Sequence, residues 1–282
     1  MHKLNRISKP PKDFLGTVIA GKTGDRGVRL TSMLSAIEIR YETLEAAYSI
    51  LGIAGVAKET WTKEQQEDLL HCYGSATHAL ERLKSLITQR QKESIRDFCS
   101  YCGIGAPRQF DHYLPKEKYP EFSVHAHNLI PCCGTCNGKK SDLWLDAAKN
   151  RLFLNLYLDS LPAAPMLKLN IKWLTKKGKR VPTVSFDLVR PSGFSLTKFR
   201  IVESHFNKLE LLSRYKDQSH TEFSMLRDAA IARETKSVVT LKKFLQSFLA
   251  QRESTLGPLN WRIALYKSLI VDVPFLKECL KP

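Results

Sequence analysis

Two Cys-x-x-Cys pairs, Cys99-Ser-Tyr-Cys102 and Cys133-Gly-Thr-Cys136, constrain this chain more than any other feature. Each pair can turn tightly enough to present two thiolates to one ion. Two such pairs complete the tetrahedral four-sulfur shell of a structural Zn²⁺. Five of the seven cysteines fall within the 38 residues from Cys99 to Cys136, while Cys72 and Cys279 stand alone. In a chain read as cytoplasmic, such clustering points to metal rather than to disulfides. Cys132 is an alternative to Cys133, but only Cys133 keeps two residues between itself and Cys136. A four-sulfur shell has no open position, so this ion is expected to fold the chain and not to react.

The chemistry is therefore expected from the residues between and after the clamps. The run reads Phe110-Asp-His-Tyr-Leu-Pro115, then Asn128-Leu-Ile-Pro131, then Cys136-Asn-Gly-Lys-Lys-Ser-Asp142. Asp111, His112, Asn128 and Asn137 are the hard-oxygen and imidazole groups that phosphodiester hydrolysis uses. A carboxylate and an amide oxygen suffice for Mg²⁺ or Mn²⁺ when water and substrate phosphate complete the shell. An imidazole can deprotonate the attacking water near neutral pH.

These elements, in this order, resemble the HNH or ββα-metal nucleases: Cys-x-x-Cys, Asp-His-x-x-Pro, Asn-Leu-Ile-Pro, then Cys-x-x-Cys-Asn-x-x-Lys-Ser-Asp. The resemblance covers about residues 98–142. It implies that His112 is the general base, that Asn128 positions His112, and that Asp111 and Asn137 hold the catalytic ion. It also implies that Lys140 contacts phosphate and that Asp142 is a structural brace. The last motif position is Asn137 rather than His, a variant that favours Mg²⁺ or Mn²⁺ over a second zinc. Zinc ligand Cys136 directly precedes Asn137, so the structural ion would pin a catalytic ligand. One tension arises here, because adjacent strand residues face opposite ways. The strand bearing Asp111 and His112 must end or become irregular there, or the substrate must lie between them.

The flanks carry the charge. The net charge is +16, with 7 basic against 2 acidic residues in 1–30 and 10 against 2 in 151–200. A basic chain attracts polyanions, and nucleic acid is the expected partner, with double-stranded DNA implied by the resemblance. Lys139 and Lys140 after the second clamp, and Lys176, Lys177, Lys179 and Arg180 at a hairpin tip, are the candidate phosphate contacts. The bland alternative for each is a solvated basic surface. The Gly21–Gly27 stretch lacks the spacing of a Walker A loop and reads as a basic loop.

Residues 1–30 look irregular, broken by Pro10-Pro11, Gly21, Gly24 and Gly27. Thr31 is expected to cap a helix to about Leu51, with Met33, Ile37, Tyr41, Leu44 and Tyr48 as its buried stripe. A second helical pattern starts at Thr62-Lys-Glu-Gln and runs through Leu69, Leu80, Leu83 and Ile87. Leu167–Trp173 and Thr183–Leu188 alternate as strands, and helices follow from Leu196, broken at Gly257-Pro258 and Pro274. His125 and His127 alternate and are read as packing or exposed residues, with ligation or substrate contact as the alternative. His71, Cys72 and His78 are read as structural. Arg200, His205, Arg214 and Tyr215 share a helical stretch and are weak candidates for substrate contact.

The expected fold class is α+β. Residues 1–95 form a basic arm and helical region, 96–160 the small ββα-metal core, and 161–282 a basic strand pair with a helical C-terminal region. No apolar run reaches the ~18–20 residues that span a bilayer. The polar, basic segment Met1–Lys12 has no apolar signal core, so the expected location is cytoplasmic. The leading reading is a metal-dependent endonuclease acting on DNA. The alternative is a zinc-dependent nucleic-acid-binding subunit without cleavage. The overall plan also looks like the HNH subunits of Septu-type and retron-associated anti-phage systems, where an ATPase would be a partner; that rests on layout.

Overall fold

The computed structural model describes residues 3–49, 52–176 and 179–280. Among them the chain is α+β, helices accompanied by two separate two-stranded antiparallel sheets. It divides into two units. One comprises Lys3–Tyr101 and Gly105–Ser160, and the other Leu161–Pro282 with the short Cys102–Ile104 segment. Among the described residues no helix is long and apolar enough to cross a membrane.

The first unit opens with helices α1 (Pro11–Ala20) and α2 (Gly24–Ser49). This corrects the irregular reading of residues 1–30. Pro11 occupies the first turn of α1, where its missing N–H costs nothing. Gly24 opens α2 at φ +62°, a conformation glycine adopts without strain. A side chain at Gly27 would collide with the Lys22 carbonyl, so this glycine permits a close approach rather than breaking the helix. Thr31 lies inside α2, where its hydroxyl donates to the Gly27 carbonyl at 2.8 Å instead of capping. The expected stripe Met33, Ile37, Tyr41, Leu44 and Tyr48 is buried throughout.

The second helical pattern is two helices, α3 (Lys63–Gly74) and α4 (His78–Gln89). Thr62 and Gln65 form a reciprocal capping box at the start of α3, and Thr77 caps α4 through the Leu80 N–H. A short α5 (Glu93–Arg96) precedes β1 (Gln109–His112). β1 pairs antiparallel with β2 (Leu129–Cys132), placing Asp111 opposite Ile130 and His112 opposite Leu129. Helix α6 (Gly134–Lys140) follows at once, completing a ββα unit. Phe14, Leu83, Ile87, Ala126 and Leu129 form one buried cluster, so α1 and α4 pack directly on this unit. Part of the N-terminal basic charge is engaged internally. Arg26 and Arg29 both bind the buried Asp68 carboxylate, and Arg40 binds the buried Glu121.

The second unit holds β3 (Leu167–Lys176) and β4 (Lys179–Leu188), paired in register from Leu167↔Leu188 to Lys176↔Lys179. Five helices follow: α7 (Leu196–Lys208), α8 (Leu211–Ile231), α9 (Val238–Leu256), α10 (Trp261–Leu269) and α11 (Val273–Glu278). Phe186 of β4 meets Tyr215 of α8 at 5.8 Å, and Tyr215 stacks on Trp261 of α10 at 5.4 Å. Tyr215 and His205 are buried here, so neither offers its side chain to a substrate. Pro274 sits in the first turn of α11 rather than ending a helix.

Candidate active site and metal centre

The first candidate metal centre is the cysteine cluster. The sulfurs of Cys99, Cys102, Cys133 and Cys136 lie within 4.8 Å of one another, and all four residues are buried. In a tetrahedral shell with bonds of about 2.3 Å, sulfurs sit roughly 3.8 Å apart, so this set fits a zinc ion with small adjustments. The chain folds locally for that purpose. Cys133 is the N-cap residue of α6 and Cys136 lies in its first turn. The Cys99 N–H bonds to the Gly105 carbonyl at 2.6 Å, closing the first knuckle. Cys132, the alternative ligand, lies outside the cluster on β2, opposite Gln109. Burial pushes its thiol up, away from the thiolate form a zinc ligand needs.

Beside this cluster opens a cleft of about 1130 Å³. One wall is the α4 face with Glu81, Lys84, Ser85, Thr88 and Gln89. The floor is β1, and the far wall is α6 with Asn137 and Gly138. Asp111, His112 and Asn137 all line it.

His112 ends β1, which answers the alternation problem, since the regular strand stops there. Its Nε2 donates to the Ser123 carbonyl at 2.8 Å. The proton therefore sits on Nε2, and Nδ1 carries the lone pair. The Tyr73 ring packs against the imidazole edge-on at 4.4 Å. Burial lowers the His112 pKa to about 4, partly offset by the Ser123 carbonyl. The ring is thus a neutral base at physiological pH.

Asp111 is 2% exposed, and its carboxylate accepts hydrogen bonds from two side chains. Tyr101 Oη donates to Oδ2 at 2.7 Å, and Lys140 Nζ donates to Oδ1 at 3.0 Å. The same ammonium reaches the His112 carbonyl at 2.9 Å. Burial raises the Asp111 pKa, opposed by the Lys140 charge and the Tyr101 hydroxyl. Asn137 projects from α6, its Nδ2 donating to Gln109 Oε1 at 2.9 Å.

Three sequence expectations are corrected by these positions. Lys140 is fully buried, so its ammonium braces β1 from within and does not face a phosphate. Asp142 is the exposed member of the tail, lining the cleft and paired with Lys118 at 2.7 Å. Lys140 points inward because α6 turns its side chain onto the same buried face as Cys136, four residues earlier. Asn128 is fully buried, and its amide hydrogen bonds go to backbone groups rather than to the His112 ring. Its amide instead binds both backbone groups of Leu114 and the Phe122 carbonyl, fixing the loop that carries Ser123. His112 is oriented by a backbone carbonyl, and Asn128 acts one step away.

Other expected residues are not among those lining the cleft. Lys139 is half-buried on α6 and does not line the cleft. Arg180 is exposed in the second unit, its guanidinium over the Trp173 ring at 5.4 Å. Lys177 lies outside the described residues, as do the side chains of Lys176 and Lys179. Arg200 is exposed on α7. Sequence reasoning missed Tyr101, Tyr73 and the polar face of α4. Tyr101 was visible only as a spacer between two cysteines. The α4 face was visible only as the polar side of an amphipathic helix.

No protein-family model matches the chain, and no solved structure matches it. Protein ea31 of Escherichia phage lambda is 24% identical over 192 residues, covering 64% of this chain and 63% of that protein. Septu protein PtuB of Bacillus thuringiensis is 40% identical over 47 residues, covering 15% of this chain and 18% of that protein. The chain thus spans less than two thirds of the length of either relative, and it is similar to both without being assigned to a family by them.

Proposed function

We propose that this chain is a metal-dependent endonuclease of the HNH type that hydrolyses phosphodiester bonds in DNA. The observation that carries this reading is the convergence of a neutral, backbone-anchored His112 with Asp111 and Asn137 on one open cleft. With Nε2–H held by the Ser123 carbonyl, His112 Nδ1 accepts the proton of a water attacking the phosphorus. Asp111 and Asn137 offer one carboxylate and one amide oxygen, a donor set that fits Mg²⁺ or Mn²⁺ with water and phosphate filling the remaining positions. Such an ion supplies charge stabilisation at the scissile phosphate and the leaving oxygen. The polar α4 wall, with Lys84, Ser85, Thr88 and Gln89, is suited to bind the phosphate backbone on the side opposite α6.

One observation favours a second reading, a zinc-dependent nucleic-acid-binding subunit that does not cut. Both Asp111 oxygens already hold hydrogen bonds. Each carboxylate oxygen has a further lone pair, so the bonds leave room for an ion. The similarity to a phage protein and to a Septu protein supports a setting in anti-phage defence or in a mobile element. Assembly with an ATPase subunit belongs to that setting. The deciding experiment incubates the purified chain with supercoiled plasmid in Mg²⁺ or Mn²⁺. Nicking or linearisation that EDTA abolishes supports the enzyme. Tight binding without a cut at any metal or salt concentration, with and without co-purified partners, supports the silent subunit.

A further inference from the structure

We infer that Glu45, His125 and His127 form a second resident metal site, for a divalent first-row transition ion, distinct from both the cysteine cluster and the cleft. The three residues come from distant parts of the chain. Glu45 projects from α2, and the two histidines flank Ala126 in the tight turn that leads into β2. Glu45 Oε1 lies 2.6 Å from His127 Nδ1 and 3.4 Å from His125 Nε2, and the donor atoms all fall within 4.8 Å of one another. A tetrahedral ion with bonds of about 2.0–2.1 Å separates its ligands by roughly 3.3 Å, close to the Glu45–His125 separation, and would have to spread the shorter Glu45–His127 pair. Two imidazoles and one carboxylate, with positions left open, match borderline transition ions better than Mg²⁺ or Ca²⁺.

A second observation also points to a ligand. His125 is fully buried, and its Nε2, the atom placed to hold the ion, lacks a hydrogen-bond partner; the Nε2 of His127 lacks one too but is not a ligand here. Buried ring nitrogens without partners are rare unless something satisfies them. The surroundings hold the donors in place. Tyr48 Oη donates to the His127 carbonyl at 2.6 Å, and Tyr41 packs edge-on against His125 at 4.4 Å. Arg6 engages the other Glu45 oxygen, Oε2, at 3.5 Å. A cavity of about 500 Å³ is lined by Arg6, Tyr48 and Tyr157, which themselves contact Glu45 or His127.

Loading has a defined proton balance. Before loading, His127 Nδ1–H donates to Glu45 Oε1, and the His127 backbone N–H donated to His125 Nδ1 leaves the His125 proton on Nε2. An ion taking those nitrogens moves each proton to the other nitrogen of its ring. The unpartnered His127 Nε2 receives one. The bond from the His127 N–H to His125 Nδ1, now 3.2 Å, must open when the other arrives. The competing account is a carboxylate that merely bridges two histidines.

Crystals of the wild-type protein soaked in Zn²⁺ and Co²⁺ decide between them by anomalous difference maps at each absorption edge. The site predicts a peak bonded to Glu45 Oε1, His125 Nε2 and His127 Nδ1, with the Oε1–Nδ1 pair spread beyond hydrogen-bond length. Equilibrium dialysis with Co²⁺ should load wild type with one equivalent more than Glu45→Gln, which keeps the carboxamide shape and leaves the cysteines untouched. No peak between the three residues, or equal loading of the two proteins with Oε1 and Nδ1 still at hydrogen-bond distance, overturns the site. If Glu45→Gln does not fold, the wild-type map alone decides.

Discussion

The Tyr101 hydroxyl donates a 2.7 Å hydrogen bond to Asp111 Oδ2 inside the protein, and Tyr101 stands between Cys99 and Cys102. A single side chain therefore joins the cysteine cluster to the carboxylate of the cleft. The knuckle does more than hold two sulfurs, since its closed shape aims a phenol at the residue proposed to hold the catalytic ion. Tyr101→Phe removes that bond and keeps the ring. Such a bond is worth about 0.5–1.5 kcal/mol net. Zinc content should stay that of wild type, while the Mn²⁺ concentration for half-maximal cleavage rises about 2- to 10-fold. Unchanged metal dependence would show that Asp111 is held by Lys140 alone.

Lys140 provides a test of the inward brace. Lys140→Met keeps the aliphatic stem and leaves Asp111 buried without its cation. Breaking a buried pair from one side costs about 3–5 kcal/mol. Urea unfolding should show that loss, and Asp111→Asn combined with Lys140→Met should recover part of it. Were Lys140 a phosphate contact, the single variant would weaken DNA binding and leave the urea midpoint near wild type.

The pH response of His112 follows from its burial. Its folded-state pKa is lowered to about 4 from the ordinary 6.5. As pH falls, the unfolded chain takes up this proton first. The His112 contribution to stability is therefore complete above about 6.5 and is lost as pH drops toward 4. The acid limb of the cleavage profile assigned to His112 should lie well below 6.5 for the same reason. NMR titration of labelled histidine checks the value directly, and a midpoint at or above 6.5 would mean the ring is solvated rather than enclosed.

The two adjacent cysteines separate ligand from neighbour. Cys133→Ser should strip the zinc and collapse the thermal transition, because a structural ion contributes folding free energy. Cys132→Ser should keep one zinc per cysteine cluster and melt close to wild type. Metal content and melting curves of the two variants give opposite patterns if the assignment is right, and exchanged patterns if Cys132 is the ligand.

Much of this was legible in sequence because it is periodic or chemically specific. The α2 stripe from Met33 to Tyr48 repeats at helical spacing, and the four cysteines carry their ligation in their spacing. What was not legible is direction and backbone. A lysine four residues after Cys136 reads as a surface charge until α6 sets both on one buried face. Asn128 was known to matter, but its partners Leu114 and Phe122 are backbone groups, which no residue type announces. Ser123 orients His112 through its carbonyl, so its side chain carries no signal of that role. The glycines at Gly24 and Gly27 read as breakers because their use, one positive φ and one close approach, depends on tertiary packing.

The account stands most directly on His112. Wild type and His112→Ala should be compared on supercoiled plasmid in Mn²⁺, at matched zinc content and matched melting temperature. The account predicts that wild type nicks or linearises the DNA and that His112→Ala, equally folded, leaves it supercoiled while still binding it. Equal cleavage by both proteins would contradict it.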